Sequence, residues 1–80
     1  MIDWREHIEF NSETLRGKPV VKGTRLSVEF LMERLADGWT EAEIMESYPR
    51  VTKDTLRAIY AYVYEFLKDS MVYSIDRKVA

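Results

Sequence analysis

A series of helix start and stop signals in residues 27–70 restricts the fold of this 80-residue chain more than any other feature. Thr40 and Glu43 have the spacing of a capping box, which predicts the start of a short helix. Pro49 ends that helix after about two turns, because the residue before a proline is pushed out of the helical region. Thr52 is placed to cap a longer helix immediately afterwards. This order of elements predicts a helix-turn-helix.

Another helix is predicted before this pair, with Ser27 as its N-cap and Gly38 just beyond its end. The longest helix is expected to run from Thr52 to about Ser70. Its apolar spacing predicts a buried seam formed by Leu56, Ile59, Tyr60, Val63, Phe66 and Leu67. Its opposite, exposed face is predicted to carry Asp54, Ala58, Ala61 and Glu65, flanked by Arg57 and Lys68.

Two short extended segments precede the helices. Residues 7–10 alternate polar and apolar side chains, and Pro19-Val20-Val21 begins with a proline, which a strand tolerates at its first position. We therefore predict a mainly α fold, a homeodomain-like three-helix bundle preceded by a small β-hairpin at about residues 7–25. Residues 1–70 are expected to form a single domain, and residues 71–80, which show no cap or periodicity, a C-terminal tail.

The chain contains no cysteine, which excludes disulfides and thiolate metal sites and suits a reducing cytoplasm. No apolar run approaches the roughly 18 residues of a membrane span, and the N-terminus does not resemble a signal peptide. We therefore expect a cytoplasmic protein that has no contact with a membrane. A domain this small has a modest core, so dimerisation is the expected source of additional stability.

Charge is distributed unevenly along the chain. The net charge of −2 is unusual for a nucleic-acid-binding domain, which is normally basic. However, residues 14–28 contain four bases and no acid, whereas residues 29–46 contain six acids and one base. The basic strip is formed by Arg16, Lys18, Lys22 and Arg25.

The stretch GKPVVKGTR, residues 17–25, is the most distinctive local motif. It is not a P-loop, because Lys18 follows the first glycine rather than the second and Pro19 lacks an N–H donor. Two interpretations remain. Gly23-Thr24-Arg25 leads into a helix N-terminus that could hold an anion, or the glycines simply form a structural turn.

Catalytic features are sparse, and we expect no enzymatic activity and no cofactor. His7 is the only histidine, and no serine has the setting of a nucleophile elbow. Glu29, Glu33 and Asp37 share one helix face, but they lie opposite the apolar seam, which favours a solvated acidic surface over a metal site.

In helix-turn-helix proteins, the N-terminal residues of the second helix are the ones that meet base edges. Here these positions make Arg50, Lys53 and Arg57 the candidate DNA contacts, with Asp54 an unfavourable neighbour. An arginine at such a position can bind a guanine with two hydrogen bonds. The alternative, of similar weight on the sequence alone, is three packed helices that bind no DNA.

The tyrosines offer a further choice. Tyr62 and Tyr64 flank the predicted exposed face of the last helix, and Tyr73 lies in the tail. Such residues can stack on bases, but tyrosine is also enriched at protein interfaces, which suits an acidic domain better. We therefore predict that they contact a protein partner.

Residues 17–65 resemble the bacterial domain of unknown function family 433. The resemblance rests on the run Gly-Lys-Pro-Val-x-x-Gly-Thr-Arg, on the helix that ends in x-Gly-x-Thr-x-x-Glu-Ile, and on Tyr-Pro before the final helix. It implies a helix-turn-helix-like fold. It also implies an antitoxin of the type II kind, which silences a PIN-like nuclease toxin and represses its own promoter as a homodimer.

Two functional hypotheses follow. In the first, an antitoxin-like protein uses Arg50, Lys53 and Arg57 at the duplex and the basic strip on the DNA backbone, while Tyr73 and Val79 in the tail contact a partner protein. In the second, the chain is a dimeric protein-interaction adaptor that does not bind DNA.

Overall fold

The computed structural model describes residues 1–11, 13 and 17–69. The predicted tail, with Tyr73 and Val79, and the predicted basic residue Arg16 lie outside these residues. The elements in chain order are β1 (Ile8–Phe10), β2 (Pro19–Val21), α1 (Val28–Ala36), α2 (Glu41–Ser47) and α3 (Lys53–Lys68). The predicted mainly α fold, three helices preceded by a hairpin, is confirmed. No helix in the described part of the chain is long and apolar enough to cross a membrane.

The two strands pair antiparallel, with Ile8 opposite Val21 and Phe10 opposite Pro19. Ile8 and Val21 are buried, so the hairpin places one face against the helices. A 3₁₀ helix, Trp4–Glu6, precedes β1 and was not predicted, since three residues are too few to show a helical period.

Each α-helix begins at the predicted N-cap. The Ser27 hydroxyl accepts the Phe30 N–H at 2.9 Å, and Thr40 forms a reciprocal capping box with Glu43. Thr52 forms a second capping box, which was not predicted because its partner is a threonine at position 55 rather than an acid or amide. The cap hydroxyls thus satisfy backbone donors that each first turn leaves unpaired.

The core is formed where the three helices and the hairpin meet. Side chains from α1, α2 and α3 are fully buried at its centre, among them Leu31, Ile44, Leu56 and Ile59. Val51, in the turn before α3, is also buried and joins this cluster. Because every element contributes to one cluster, the turn between α2 and α3 is held in a fixed position relative to β2.

The predicted seam of α3 is partly wrong. Tyr60, Phe66 and Leu67 were expected to be buried but are exposed, whereas Ala58 and Ala61 were expected on the outer face but are buried. Leu56 and Ile59 are buried as predicted.

The N-terminal segment explains this difference. Trp4 lies against α3, where its indole N–H donates to Glu65 Oε1 at 3.0 Å and its ring centroid is 4.9 Å from that of Tyr62. Ile2 also packs against the core cluster. The prediction from helical periodicity assumes that only one face of α3 is buried. Here the N-terminal segment also covers part of the opposite face, and the small side chains of Ala58 and Ala61 allow it to pack closely there.

Candidate nucleic-acid interface

The segment that follows β2 is a tight turn with two basic side chains. Gly23 has a φ of 79°, a conformation that glycine adopts without steric cost. The Thr24 backbone N–H and hydroxyl both donate to the Val21 carbonyl, at 3.0 and 2.9 Å. Lys22 and Arg25 on either side are exposed, and within the described residues neither side chain has an ion-pair or hydrogen-bond partner. Both cations are therefore available to a ligand.

Arg50 joins this turn from a distant part of the chain. It precedes α3, and its Nη2 donates to the Gly23 carbonyl at 3.3 Å across 27 positions of sequence. A Cβ on Gly23 would lie 3.2 Å from the same nitrogen, so the lack of a side chain there makes room for the guanidinium. Lys22, Arg25 and Arg50 form what we call the basic turn surface. All three residues were predicted to contact DNA, but no sequence pattern indicated that they are adjacent.

Acidic groups lie close to this surface. Glu9 Oε2 accepts the Gly23 N–H at 3.2 Å, which helps to fix the turn. The two predicted contacts within α3 are also near carboxylates: Lys53 Nζ lies 3.6 Å from Glu41 Oε1, and Arg57 Nη1 lies 3.9 Å from Asp54 Oδ1. These pairs are largely exposed and therefore weak, so a phosphate can compete with the carboxylates.

Unlike Lys22 and Arg25, Lys18 is paired with a carboxylate. Its Nζ donates to Glu29 Oε1 at 2.8 Å, and this hydrogen bond, together with the lysine charge, lowers the pKa of Glu29. Glu33, which shares the predicted acidic face with Glu29, has its Oε1 3.9 Å from Arg34 Nη2. Among the described residues, no three acidic or histidine side chains come together as metal ligands.

Glu41 connects the start of α2 to α3. One carboxylate oxygen accepts the Tyr60 hydroxyl at 2.8 Å, and the other faces Lys53. Although Tyr60 is largely exposed, partial burial of its hydroxyl raises the pKa of Tyr60 to about 12, and the hydrogen bond to Glu41 and its negative charge act in the same direction. This contact was not predicted, because the helical pattern places Tyr60 in the core seam and Glu41 in the first turn of a separate helix.

We expect Tyr60 to ionise well above the ordinary tyrosine pKa of 10, at a value of about 12. Because the folded-state pKa is the higher one, the contribution of this hydroxyl to stability is present below pH 10 and is lost as the pH rises towards 12. Absorbance of the tyrosinate band, measured against pH, gives the pKa values of the tyrosines. The part of the titration that is absent in Tyr60→Phe belongs to Tyr60. In Glu41→Gln the pKa should fall but stay above the ordinary value, since burial is the main cause. A Tyr60 that ionises like a free tyrosine contradicts this contact.

The two predicted partner-binding tyrosines of α3 differ in their surroundings. Tyr62 is half-buried in an aromatic cluster, with its ring centroid 4.9 Å from Trp4 and 6.1 Å from Phe10. Tyr64 is exposed and lines a groove together with Met1, Ile2, Arg57, Tyr60 and Ala61. Of the two, only Tyr64 presents most of its ring to solvent.

Three helices follow the hairpin, and residues 48–52 separate α2 from α3. Residues 8–63 match the family described as Protein of unknown function (DUF433). The match covers more than half of the chain, so this chain belongs to that family, as its sequence motifs indicated. No curated protein and no solved structure gave a match.

Proposed function

We propose that this protein is the antitoxin of a type II toxin–antitoxin pair, which binds its own promoter through the helix-turn-helix and neutralises a PIN-like nuclease toxin. The observation that carries the DNA-binding part is the basic turn surface, where Arg50 at the entry to α3 contacts the turn that carries Lys22 and Arg25. A helix that enters a groove needs phosphate contacts beside its N-terminus, and these cations are in that position.

In this proposal the contacts divide into two kinds. Lys22 and Arg25 bind phosphates, which supplies affinity without sequence information. Lys53, the first residue of α3, and Arg57, about one turn further along, reach towards base edges. Without DNA, Lys53 pairs with Glu41 and Arg57 pairs with Asp54. On binding, DNA replaces both carboxylates.

The antitoxin part is supported by the family resemblance, and by the tyrosines and the tail that the sequence assigns to a partner. Co-expression with the neighbouring open reading frame, followed by a pull-down and a promoter-shift assay on the same sample, tests both parts. Co-purification of the neighbouring gene product and a shifted promoter fragment are expected. If neither is found, the proposal is wrong.

One alternative function is favoured by a specific observation. Carboxylates lie beside Gly23, Lys53 and Arg57, and the net charge is −2, so electrostatic attraction to DNA is weak overall. A dimeric protein-interaction adaptor without DNA binding fits these charges. Co-purification with the neighbouring gene product, combined with no promoter shift at low salt, would identify the adaptor.

Arg57→Ala is expected to weaken promoter binding by roughly 1–3 kcal/mol and to relax the preference for one base pair, if the guanidinium binds a guanine. Competition titrations with promoter duplexes that carry single base changes measure both effects. Asp54→Ala is the matched control, since it removes the side chain that pairs with Arg57. That variant should bind as tightly as the wild type or more tightly. An equal loss of affinity for all duplexes would mean that Arg57 contacts only phosphate.

A further inference from the structure

Gly23, in the turn that carries Lys22 and Arg25, is held on both sides by charged side chains from distant segments. Glu9 Oε2 in β1 accepts the Gly23 N–H at 3.2 Å, and Arg50 Nη2 donates to the Gly23 carbonyl at 3.3 Å. A Cβ on Gly23 would lie 3.2 Å from that nitrogen, so the guanidinium lies directly beside the glycine. A carboxylate and a guanidinium therefore converge on a single exposed residue of this turn.

The turn does not depend on Glu9 for its shape. The Thr24 backbone N–H and hydroxyl donate to the Val21 carbonyl, at 3.0 and 2.9 Å. The Lys22 N–H donates to the His7 carbonyl at 2.9 Å. None of these bonds uses a charged group, and together they fix the backbone on both sides of the glycine. The Glu9 carboxylate is therefore added to a turn that is already hydrogen-bonded.

The surroundings of the Gly23 N–H are those of an anion site. Backbone N–H groups in a turn bind phosphate oxygens, and neighbouring cations strengthen that binding. Lys22 and Arg25 lie in the same turn, and Arg50 contacts it. Among the described residues no salt bridge joins Glu9 to any of these cations, so its carboxylate is bound by the backbone donor as a free anion would be. The contact thus favours an anion site over a purely structural turn, and places it at Gly23 rather than at the helix N-terminus.

We propose that the Gly23 N–H and the basic turn surface form a binding site for a phosphate group of the DNA backbone, and that Glu9 occupies this site as an internal competitor. On binding, an oxygen of the phosphate accepts the Gly23 N–H in place of the carboxylate, and the Glu9 side chain turns towards solvent. The proposal rests on the proposed function for the source of the phosphate. It adds the backbone donor that binds the phosphate and the residue that limits the affinity.

The Glu9 contact can be displaced because it is single and exposed. The bond is 3.2 Å long, at the long end of N–H···O hydrogen bonds, and no second donor holds the carboxylate within the described residues. A phosphate diester spreads its charge over two oxygens that several donors can bind at once. If Glu9 served only to hold the turn, its removal would have the opposite effect, because a loosened turn would bind anions less well.

The first test titrates the ¹⁵N-labelled full chain with inorganic phosphate and follows the amide signal of Gly23, while sodium chloride keeps the ionic strength constant. Glu9→Ala is expected to bind phosphate about tenfold more tightly than the wild type, because a donor is freed and a like charge is removed. Glu9→Gln should lie between the two, since its amide oxygen still accepts the N–H but carries no charge. The same spectra report whether each variant is folded.

Asp37→Ala is the matched control, because it changes the formal charge from −2 to −1, as Glu9→Ala does. Asp37 lies at the C-terminal end of α1, and the nine residues of that helix separate it from the turn by about 13 Å. This distance exceeds the Debye length of about 8 Å at physiological salt. Asp37→Ala should therefore change the affinity for phosphate by less than roughly twofold.

The second test measures anisotropy with the upstream duplex and with an unrelated duplex at about 0.1 M salt. Glu9→Ala should bind both duplexes about tenfold more tightly than the wild type, because a phosphate contact carries no sequence information. The ratio of the two affinities should therefore not change.

Three results overturn the proposal: Glu9→Ala binds phosphate no more tightly than the wild type, Asp37→Ala gains as much as Glu9→Ala, or the wild type binds duplexes that Glu9→Ala binds no more tightly. The third result would assign the turn to free phosphate rather than to DNA. If neither protein binds any duplex at low salt, the proposed function is wrong instead, and the phosphate titration still decides whether the turn is an anion site.

Discussion

Ala58→Glu is expected to destabilise the fold by roughly 4 kcal/mol, because it places a carboxylate at a fully buried position without a partner. Ala58 is 0% exposed and lies in the core cluster beside Ile59. Domains of this kind have a total stability of only about 5–15 kcal/mol, so the variant should be close to unfolding. Urea denaturation followed by far-ultraviolet circular dichroism measures the change in the free energy of unfolding.

Ala42→Glu is the matched control, since Ala42 is an exposed alanine in the first turn of α2. Its effect should stay within roughly 0.5 kcal/mol. If both variants were equally mild, Ala58 would be on a solvated face, as the helical periodicity of α3 predicted, and the covering of α3 by the N-terminal segment would be wrong.

Replacing Lys22 and Arg25 together with alanine is expected to weaken promoter binding about 60-fold at about 0.1 M salt. Each phosphate contact adds about 0.9 to the slope of log K against log salt, so two lost contacts reduce the slope by about 1.8. If the two proteins bind equally at about 1 M salt, this change in slope makes their affinities differ about 60-fold at about 0.1 M. The loss should be similar for promoter and unrelated duplexes, because phosphate contacts carry no sequence information. Fluorescence anisotropy at several salt concentrations measures both the affinity and the slope.

The double variant Arg5→Ala and Lys68→Ala controls for net charge. Each double variant removes two cations, so both change the formal charge from −2 to −4. Arg5 contacts Glu65 near the C-terminal end of α3, and Lys68 is the last residue of that helix. A 16-residue helix is about 24 Å long, so these positions are far from Arg50. Equal losses in the two double variants would contradict a local DNA contact.

The elements that local chemistry determines were predictable from the sequence. Ser27, Thr40 and Thr52 begin their helices because each side chain satisfies backbone donors within its own first turn. Pro49 limits α2 for an equally local reason. The pairing of β1 with β2 followed from two short runs that together cover one face of the core.

What the sequence did not predict depends on contacts between distant residues. The burial of Ala58 and Ala61 requires knowing that residues near Trp4 cover α3, and no local pattern carries that information. The contact of Arg50 with Gly23 spans 27 positions, and that of Tyr60 with Glu41 spans 19. The charged residues can be listed from the sequence, but only the fold shows that Arg50 lies beside the turn that carries Lys22 and Arg25.

The position of the basic turn surface also bears on the unfavourable net charge. At physiological salt, exposed charges more than roughly 8–10 Å away are largely screened, so the cations nearest the duplex determine phosphate binding. Lys22 and Arg25 have no ion-pair partner within the described residues, unlike Lys18, Lys53 and Arg57. A domain with a net charge of −2 can therefore bind a phosphate backbone through this one surface.

DNA binding by the basic turn surface is tested most directly by anisotropy of the protein's own upstream DNA, titrated at low salt and then over a salt series. We expect saturable binding whose log K falls linearly with log salt, with a slope that decreases by about two in the Lys22 and Arg25 double variant. No binding at low salt, or binding with a slope that this variant leaves unchanged, would contradict the proposed interface.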